Sequence, residues 1–393
     1  APLRCVTLDS SLSEKSGLWQ ARCESGDSPG DGRDDVSSAS DVLQREAAGS
    51  RLADARENFG DEVVLSEPFP GRPPLWIEPA SASLRSDPVA LARWTHDHHD
   101  AIEAVLLTFG AVMWRGFPIA GPEDFQALFE DFTPFSKGYV AGTSERQPIK
   151  GKVMESTRTP DDVYIFLHQE MSYQIYSPRL LAFFCKQPSA EGGETPICDM
   201  RGLLEALPPE MRRRFEEEGV IYGRNFRDAT IDDWRADPAY RHHSWQHWFK
   251  TDDKAEVSRQ LDERGISYEW LADGSMRYWT HRPGVTNHPA TGELISFNQL
   301  HAQTQHRSMF GDDYMDIMDA AYGADVPRPY YCHFGDGKPL TDGEWQTIWD
   351  EMERRKIAFA WQKGDVLLVD NKLTGHGRHP YKGPREIQVM IFE

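Results

Sequence analysis

Phe166-Leu167-His168-Gln169-Glu170-Met171-Ser172-Tyr173 is the stretch on which the reading of this chain turns. An imidazole and a carboxylate stand two residues apart in an apolar, strand-like setting. Side chains alternate faces along a strand, so His168 and Glu170 point the same way and Gln169 points away. One metal ion can sit between such a pair. Taken alone, the same three letters also describe a solvated loop, and a distant third ligand is needed to decide.

The C-terminal end supplies a candidate. Val369-Asp370-Asn371-Lys372-Leu373-Thr374-Gly375-His376-Gly377-Arg378 leads through Gly383-Pro384 to Arg385. His376 follows a strand after a short loop, and Arg385 opens the next strand. A histidine and carboxylate pair, a long interval, a late histidine and then an arginine is the order of a facial triad of two histidines and one carboxylate. That triad leaves positions open on iron. A 2-oxo acid and dioxygen can fill them. The guanidinium of Arg385 suits bidentate pairing with the far carboxylate of such an acid.

Between these ends the pattern is strand-rich. Gly110–Phe117, Arg179–Cys185, Ile357–Trp361, Asp365–Asp370 and Arg385–Phe392 read as strands. Pro88–Leu107, Pro122–Phe132, Met200–Gly219, Tyr314–Tyr322 and Asp342–Arg355 read as helices on their apolar spacing. No regular alternation of strand and helix is present. A mainly β fold with helical buttresses, a jelly roll or double-stranded β-helix, is therefore expected.

With these pieces in order, the chain resembles the taurine dioxygenase and clavaminate synthase-like group of Fe(II)- and 2-oxoglutarate-dependent oxygenases over roughly residues 65–393. The motifs that carry the resemblance are Gly110–Phe117, His168-Gln169-Glu170-Met171, Phe183-Phe184-Cys185, Gly192-Gly193-Glu194-Thr195-Pro196, Trp361–Asn371, and His376-Gly377-Arg378 through Arg385. The resemblance implies that His168, Glu170 and His376 hold Fe(II). It implies that Thr195 and Arg385 bind 2-oxoglutarate, that O2 is the co-oxidant, and that succinate and CO2 are released as a C–H bond of a small molecule is hydroxylated. An amino acid or derivative is the expected substrate class. Glu170, where taurine dioxygenase-like members mostly carry Asp, points to the clavaminate synthase-like branch and away from halogenation. Val389 stands where members that grip a sulfonate or carboxylate substrate often carry a second arginine. Met171, Asn298 and Arg378 are candidate substrate contacts. A zinc hydrolase on the same three ligands, or a non-catalytic jelly-roll binding module, are the rival readings.

Composition sets the outer bounds. A net charge of -20 over 393 residues argues against nucleic-acid and membrane partners. The five cysteines are scattered and odd in number, so a reducing, cytoplasmic setting is expected. An organelle address is left open, since the chain opens on Ala1. Residues 1–60, rich in Ser, Asp, Gly and Glu, are expected to be a mostly disordered acidic segment dispensable for turnover, which admits a short helix around Val42–Asn58. Residues 61–393 are expected to form one oxygenase domain with an aromatic-rich insertion at about 225–305. Among other histidines, His96, His98 and His99 read as a solvated helix face. His242, His243 and His247 read as lid or packing residues. His281 and His288 are assigned no role.

Overall fold

Strand Leu180–Gln187 shows how the body is layered. Leu180, Ala182 and Phe184 belong to one apolar cluster; Leu181, Phe183 and Cys185 belong to another. Alternate side chains leave opposite faces of a strand, so this unbroken apolar run is buried on both sides. The same alternation parts Val366 and Leu368 from Leu367 and Val369, and Val112 and Trp114 from Ala111 and Met113.

In the computed structural model, which describes residues 51–136, 147–233, 235, 242–322 and 327–393, these strands lie in an eight-stranded sheet. Its order is Val63–Ser66, Leu75–Pro79, Ala111–Trp114, Val366–Asp370, Leu180–Gln187, Glu386–Phe392, Val153–Glu155, Pro148–Lys150. All neighbours are antiparallel except the second and third strands. A smaller sheet orders Lys356–Ile357, Ile197–Asp199, Thr374–Arg378 and Ile165–His168. It faces the large one. Ile197 and Ile357 share a cluster with Leu181, Phe183 and Val389, and the Phe183 ring lies 5.1 Å from the His376 ring. Two facing, largely antiparallel sheets with helices outside them make a mainly β double-stranded β-helix, or jelly roll.

Helices buttress both outer faces. Leu91, Trp94, Ile102, Leu106 and Phe125 pack behind the large sheet. Behind the small sheet, helix Asp342–Arg355 starts in a capping box between Thr341 and Glu344 and buries Trp345, Ile348 and Met352. Burying side chains of this size contributes about 1.5–3 kcal/mol each. Two helices are shorter than their apolar spacing suggests. Pro88–Leu107 breaks into Pro88–Asp97 and His99–Phe109, where His98 turns its Nδ1 back onto the Trp94 carbonyl at 2.8 Å. Met200–Gly219 breaks at Pro208-Pro209, which lack N–H donors. Of the expected strand Ile357–Trp361 only Ile357 pairs, in the short strand Lys356–Ile357.

The insertion has its own sheet, ordered Ser267–Trp270, Met276–Arg282, Val220–Phe226, Tyr330–Phe334. Its separate core joins Phe226, Trp245, Val257, Leu261, Met276 and Tyr278. The strands of this sheet run from Val220 to Phe334 and so flank the expected insertion at about 225–305; Trp234 and residues 236–241 of its aromatic stretch lie outside the described residues. Residues 1–50 also lie outside them. Residues 51–59 are helical, in keeping with the short helix admitted around Val42–Asn58 and not with disorder through to residue 60. Leu52, Ala55 and Phe59 fall at helical spacing, and Ala55 and Phe59 are buried in the core behind the large sheet. Three apolar residues on one face are enough to order a segment whose average composition is polar. Among the described residues, no helix is long and apolar enough to cross a membrane.

Candidate metal centre

Strand Ile165–His168 pairs with Thr374–Arg378 so that His168 stands opposite His376. Cross-strand neighbours share a face, which brings the two rings to 4.5 Å between centroids. The strand ends at His168, and Glu170 opens the turn that follows. Its carboxylate Oε2 lies 3.8 Å from His168 Nε2 and 3.8 Å from His376 Nε2. One donor atom from each residue lies within 4.8 Å of the others, and among the described residues this is the group of three so placed.

The local structure prepares these donors. His168 Nδ1 lies 2.7 Å from the Phe166 carbonyl. A carbonyl only accepts, so the proton sits on Nδ1 and the Nε2 lone pair is left for a metal. The Glu170 N–H donates to Asn371 Oδ1 at 2.6 Å, and Asn371 Nδ2 donates to the Glu170 carbonyl at 2.9 Å. Met171 follows in a left-handed conformation, φ 55°, with its side chain buried. Two imidazole nitrogens and one carboxylate on one side of a shared space fit Fe(II), with positions left for other ligands.

Ile197 is the other cross-strand neighbour of His376 and faces the inter-sheet core. Two residues earlier, before the strand begins, stands Thr195, which is buried. Its hydroxyl accepts from Trp361 Nε1 at 3.1 Å and from Arg385 Nη2 at 3.4 Å. Arg385 Nε donates to the Gly193 carbonyl at 2.8 Å. Gly193 is left-handed at φ 74°, and a Cβ there would stand 3.0 Å from Arg385 Cδ, so glycine lets the arginine pass. Burial, with Arg378 nearby, pulls the Arg385 guanidinium down to about 10. It still carries its charge at neutral pH in a poorly hydrated place, which favours an incoming carboxylate.

The remaining candidates sit elsewhere in the bonding. Arg378 donates to the carbonyls of Thr159 and Val163 at 2.8 Å each, and to that of Pro160, tying down the loop before the metal strand. Asn298 donates to Gly284 O and Ser296 Oγ and accepts from Leu300 N–H. Both side chains are engaged in internal bonds, although the buried Arg378 Nε has no hydrogen-bond partner among the described residues. His96, His98 and His99 part company: His96 pairs with Asp131, His98 stacks on Trp94, and His99 packs on Phe132. His243 and His247 stack on each other at 5.4 Å.

Three contributors carry no signal of their own in the sequence. Asn371 is there only the last letter of a motif. Gln169, between two residues of the candidate triad in sequence, is fully buried and donates to the Lys372 carbonyl at 2.7 Å. His288 accepts from Ala290 and Thr291 N–H at Nδ1, so its Nε2–H donates to Asp370 Oδ2 at 3.0 Å. That bond fastens the hairpin Val285–Ser296 to the loop that leads to His376.

Residues 76–391 match the family model described as taurine catabolism dioxygenase TauD, TfdA family. The chain is 30% identical over 295 residues to the dapdiamide synthesis protein DdaC of Enterobacter agglomerans, covering 75% of this chain and 85% of that one. It is 30% identical over 333 residues to a clavaminate synthase-like protein of Arabidopsis thaliana, covering 83% and 94%. Among solved structures, PvcB from Pseudomonas aeruginosa is similar at 15% identity and a TM-score of 0.47, over 84% of this chain and 92% of that one. The chain therefore belongs to the taurine catabolism dioxygenase TauD, TfdA family and is an Fe(II)- and 2-oxoglutarate-dependent dioxygenase.

Proposed function

We propose that this dioxygenase hydroxylates an unactivated C–H bond of a small molecule, an amino acid or a derivative of one. The observation that carries the reading is the convergence of His168, Glu170 and His376 on the inner face that also presents Thr195 and Arg385. Bound iron with 2-oxoglutarate and O2 supplies the oxidising power, and succinate and CO2 leave. His168, Glu170 and His376 hold the metal. Arg385, steadied by the Gly193 carbonyl, pairs with the distal carboxylate of 2-oxoglutarate, and Thr195 adds a hydroxyl donor to it. Phe183 and Trp361 line the space between the sheets with apolar surface and keep water from it.

A carboxylate at position 170 favours hydroxylation over halogenation, because it fills the place a halide would need. The names of the two relatives, dapdiamide synthesis and clavaminate synthase-like, favour a biosynthetic small-molecule substrate. The test is a screen of amino acids and their derivatives, scored by succinate release above the substrate-free rate and then by product mass. Stimulated release with gain of one oxygen atom supports the proposal. Loss of two hydrogens would move the reaction to desaturation or ring closure. Substrate-free turnover that no amino acid stimulates would contradict the substrate class.

A further inference from the structure

Strand Ile165–His168 is the outermost of its sheet. One row of its backbone carbonyls therefore has no neighbouring strand to donate to it. A buried carbonyl left without a donor costs about 1–3 kcal/mol. Carbonyls alternate direction along a strand. That of His168 lies beside Gly375, on the paired side, whereas those of Leu167 and Gln169 are met from outside the sheet. Side chains from one short piece of the insertion meet both. His301 Nε2 donates to the Leu167 carbonyl at 2.8 Å, and Gln299 Nε2 donates at 2.8 Å to the Gln169 carbonyl, which also accepts the Ser172 N–H of the following turn at 3.3 Å. The two donors are two residues apart, as are the two acceptors.

The donating segment is itself fixed. The Gln299 N–H donates to the Tyr222 hydroxyl at 2.8 Å, which ties it to the insertion sheet. Trp345 Nε1 donates to the His301 carbonyl at 3.0 Å, which ties it to the buttressing helix. Gln299 and His301 are both buried. A single surface hydrogen bond would be replaced by water on loss; here water has no access.

We propose that Gln299 and His301 are positioning residues for the metal centre. They stand in for the missing strand and fix the backbone on both sides of His168, and through Gln169 that of Glu170. The insertion thereby sets the spacing of two metal ligands that it does not itself supply. The inference rests on the metal role proposed for His168, Glu170 and His376.

The test is Mn(II) affinity, read by electron paramagnetic resonance on the full chain, metal-free and without substrate. Gln299→Met keeps the length of the side chain and removes the donor; His301→Phe fills the space and removes the donor. Each is expected to weaken Mn(II) binding by about tenfold or more, the range seen when groups that orient metal ligands are lost. His301→Gln returns an N–H near the position of Nε2 and is expected to stay within about threefold of the parent. Mere packing at 301 predicts the reverse order, with Phe tolerated and Gln not, and that result would overturn the proposal. So would parental affinity in Gln299→Met. If His301→Phe fails to fold, Gln299→Met against the parent decides the same point. A parent chain that binds no Mn(II) would overturn the metal reading as well; variants that match a parent that does bind would overturn only the positioning role.

Discussion

Asn371 holds the backbone of Glu170 from both sides, accepting its N–H at 2.6 Å and donating to its carbonyl at 2.9 Å. The same amide nitrogen donates to the Pro178 carbonyl at 2.8 Å. Asn371 sits in the turn between strands Val366–Asp370 and Thr374–Arg378. The turn that delivers His376 therefore also sets the place of the carboxylate. Asn371→Asp keeps the size but faces two carbonyls with an acceptor. It is expected to lower unfolding free energy by about 2–4 kcal/mol and to weaken Mn(II) binding. Unfolding in denaturant checks the first part, and a midpoint equal to the parent's would contradict the clamp.

Arg385 is expected to act on 2-oxoglutarate and not on the metal. A lysine cannot reproduce a guanidinium that spans the Gly193 carbonyl, the Thr195 hydroxyl and an incoming carboxylate. Arg385→Lys should raise the 2-oxoglutarate concentration needed for half-saturation by about tenfold or more, with Mn(II) affinity unchanged. Titration of both ligands checks the split. Equal weakening of both would mean that the substitution disturbs the whole site.

His301 gives the metal-free protein a pH dependence. Burial pulls its imidazole down to about 4 from 6.5, with the Leu167 carbonyl opposing. Between those values the unfolded chain binds more protons than the folded one, so stability falls as pH drops from about 6.5 to about 4. The full loss is on the order of 3 kcal/mol. His301→Gln should flatten that part of the stability curve. An unchanged slope over the window would contradict the burial argument.

The candidate triad was legible because its signal is local or positional. His168 and Glu170 announce themselves at a spacing of two, and His376 follows a strand whose apolar run is plain. The layered strands were legible for the same reason: Leu180–Gln187 and Val366–Asp370 are apolar almost without a break. What the sequence hides are side chains whose partner is chosen by folding. Asn371 and Glu170 are 201 residues apart, Gln299 and Gln169 are 130 apart, and His288 and Asp370 are 82 apart. An amide that caps a distant carbonyl has no periodicity. The helix break at His98 was hidden likewise, since it depends on what His98 stacks against. The Pro208-Pro209 break was in plain sight and was overridden by apolar spacing.

Phe59 tests the N-terminal boundary. Its ring lies 5.6 Å from that of Trp94 and 5.8 Å from that of His98, and the side chain is buried. Phe59→Ala should cost about 3–5 kcal/mol, and a chain that starts at residue 61 should be destabilised by at least as much. Thermal unfolding of both checks this. A start at 61 that melts with the parent would mean that the residues up to 60 are dispensable after all.

We propose that His168, Glu170 and His376 form one iron site that takes 2-oxoglutarate. Visible absorbance under anaerobic conditions reads that site. Adding Fe(II) and 2-oxoglutarate to the parent chain should raise a weak charge-transfer band, and His376→Ala should abolish it while keeping its fold by circular dichroism. The same band in His376→Ala, or none in the parent, would contradict the site.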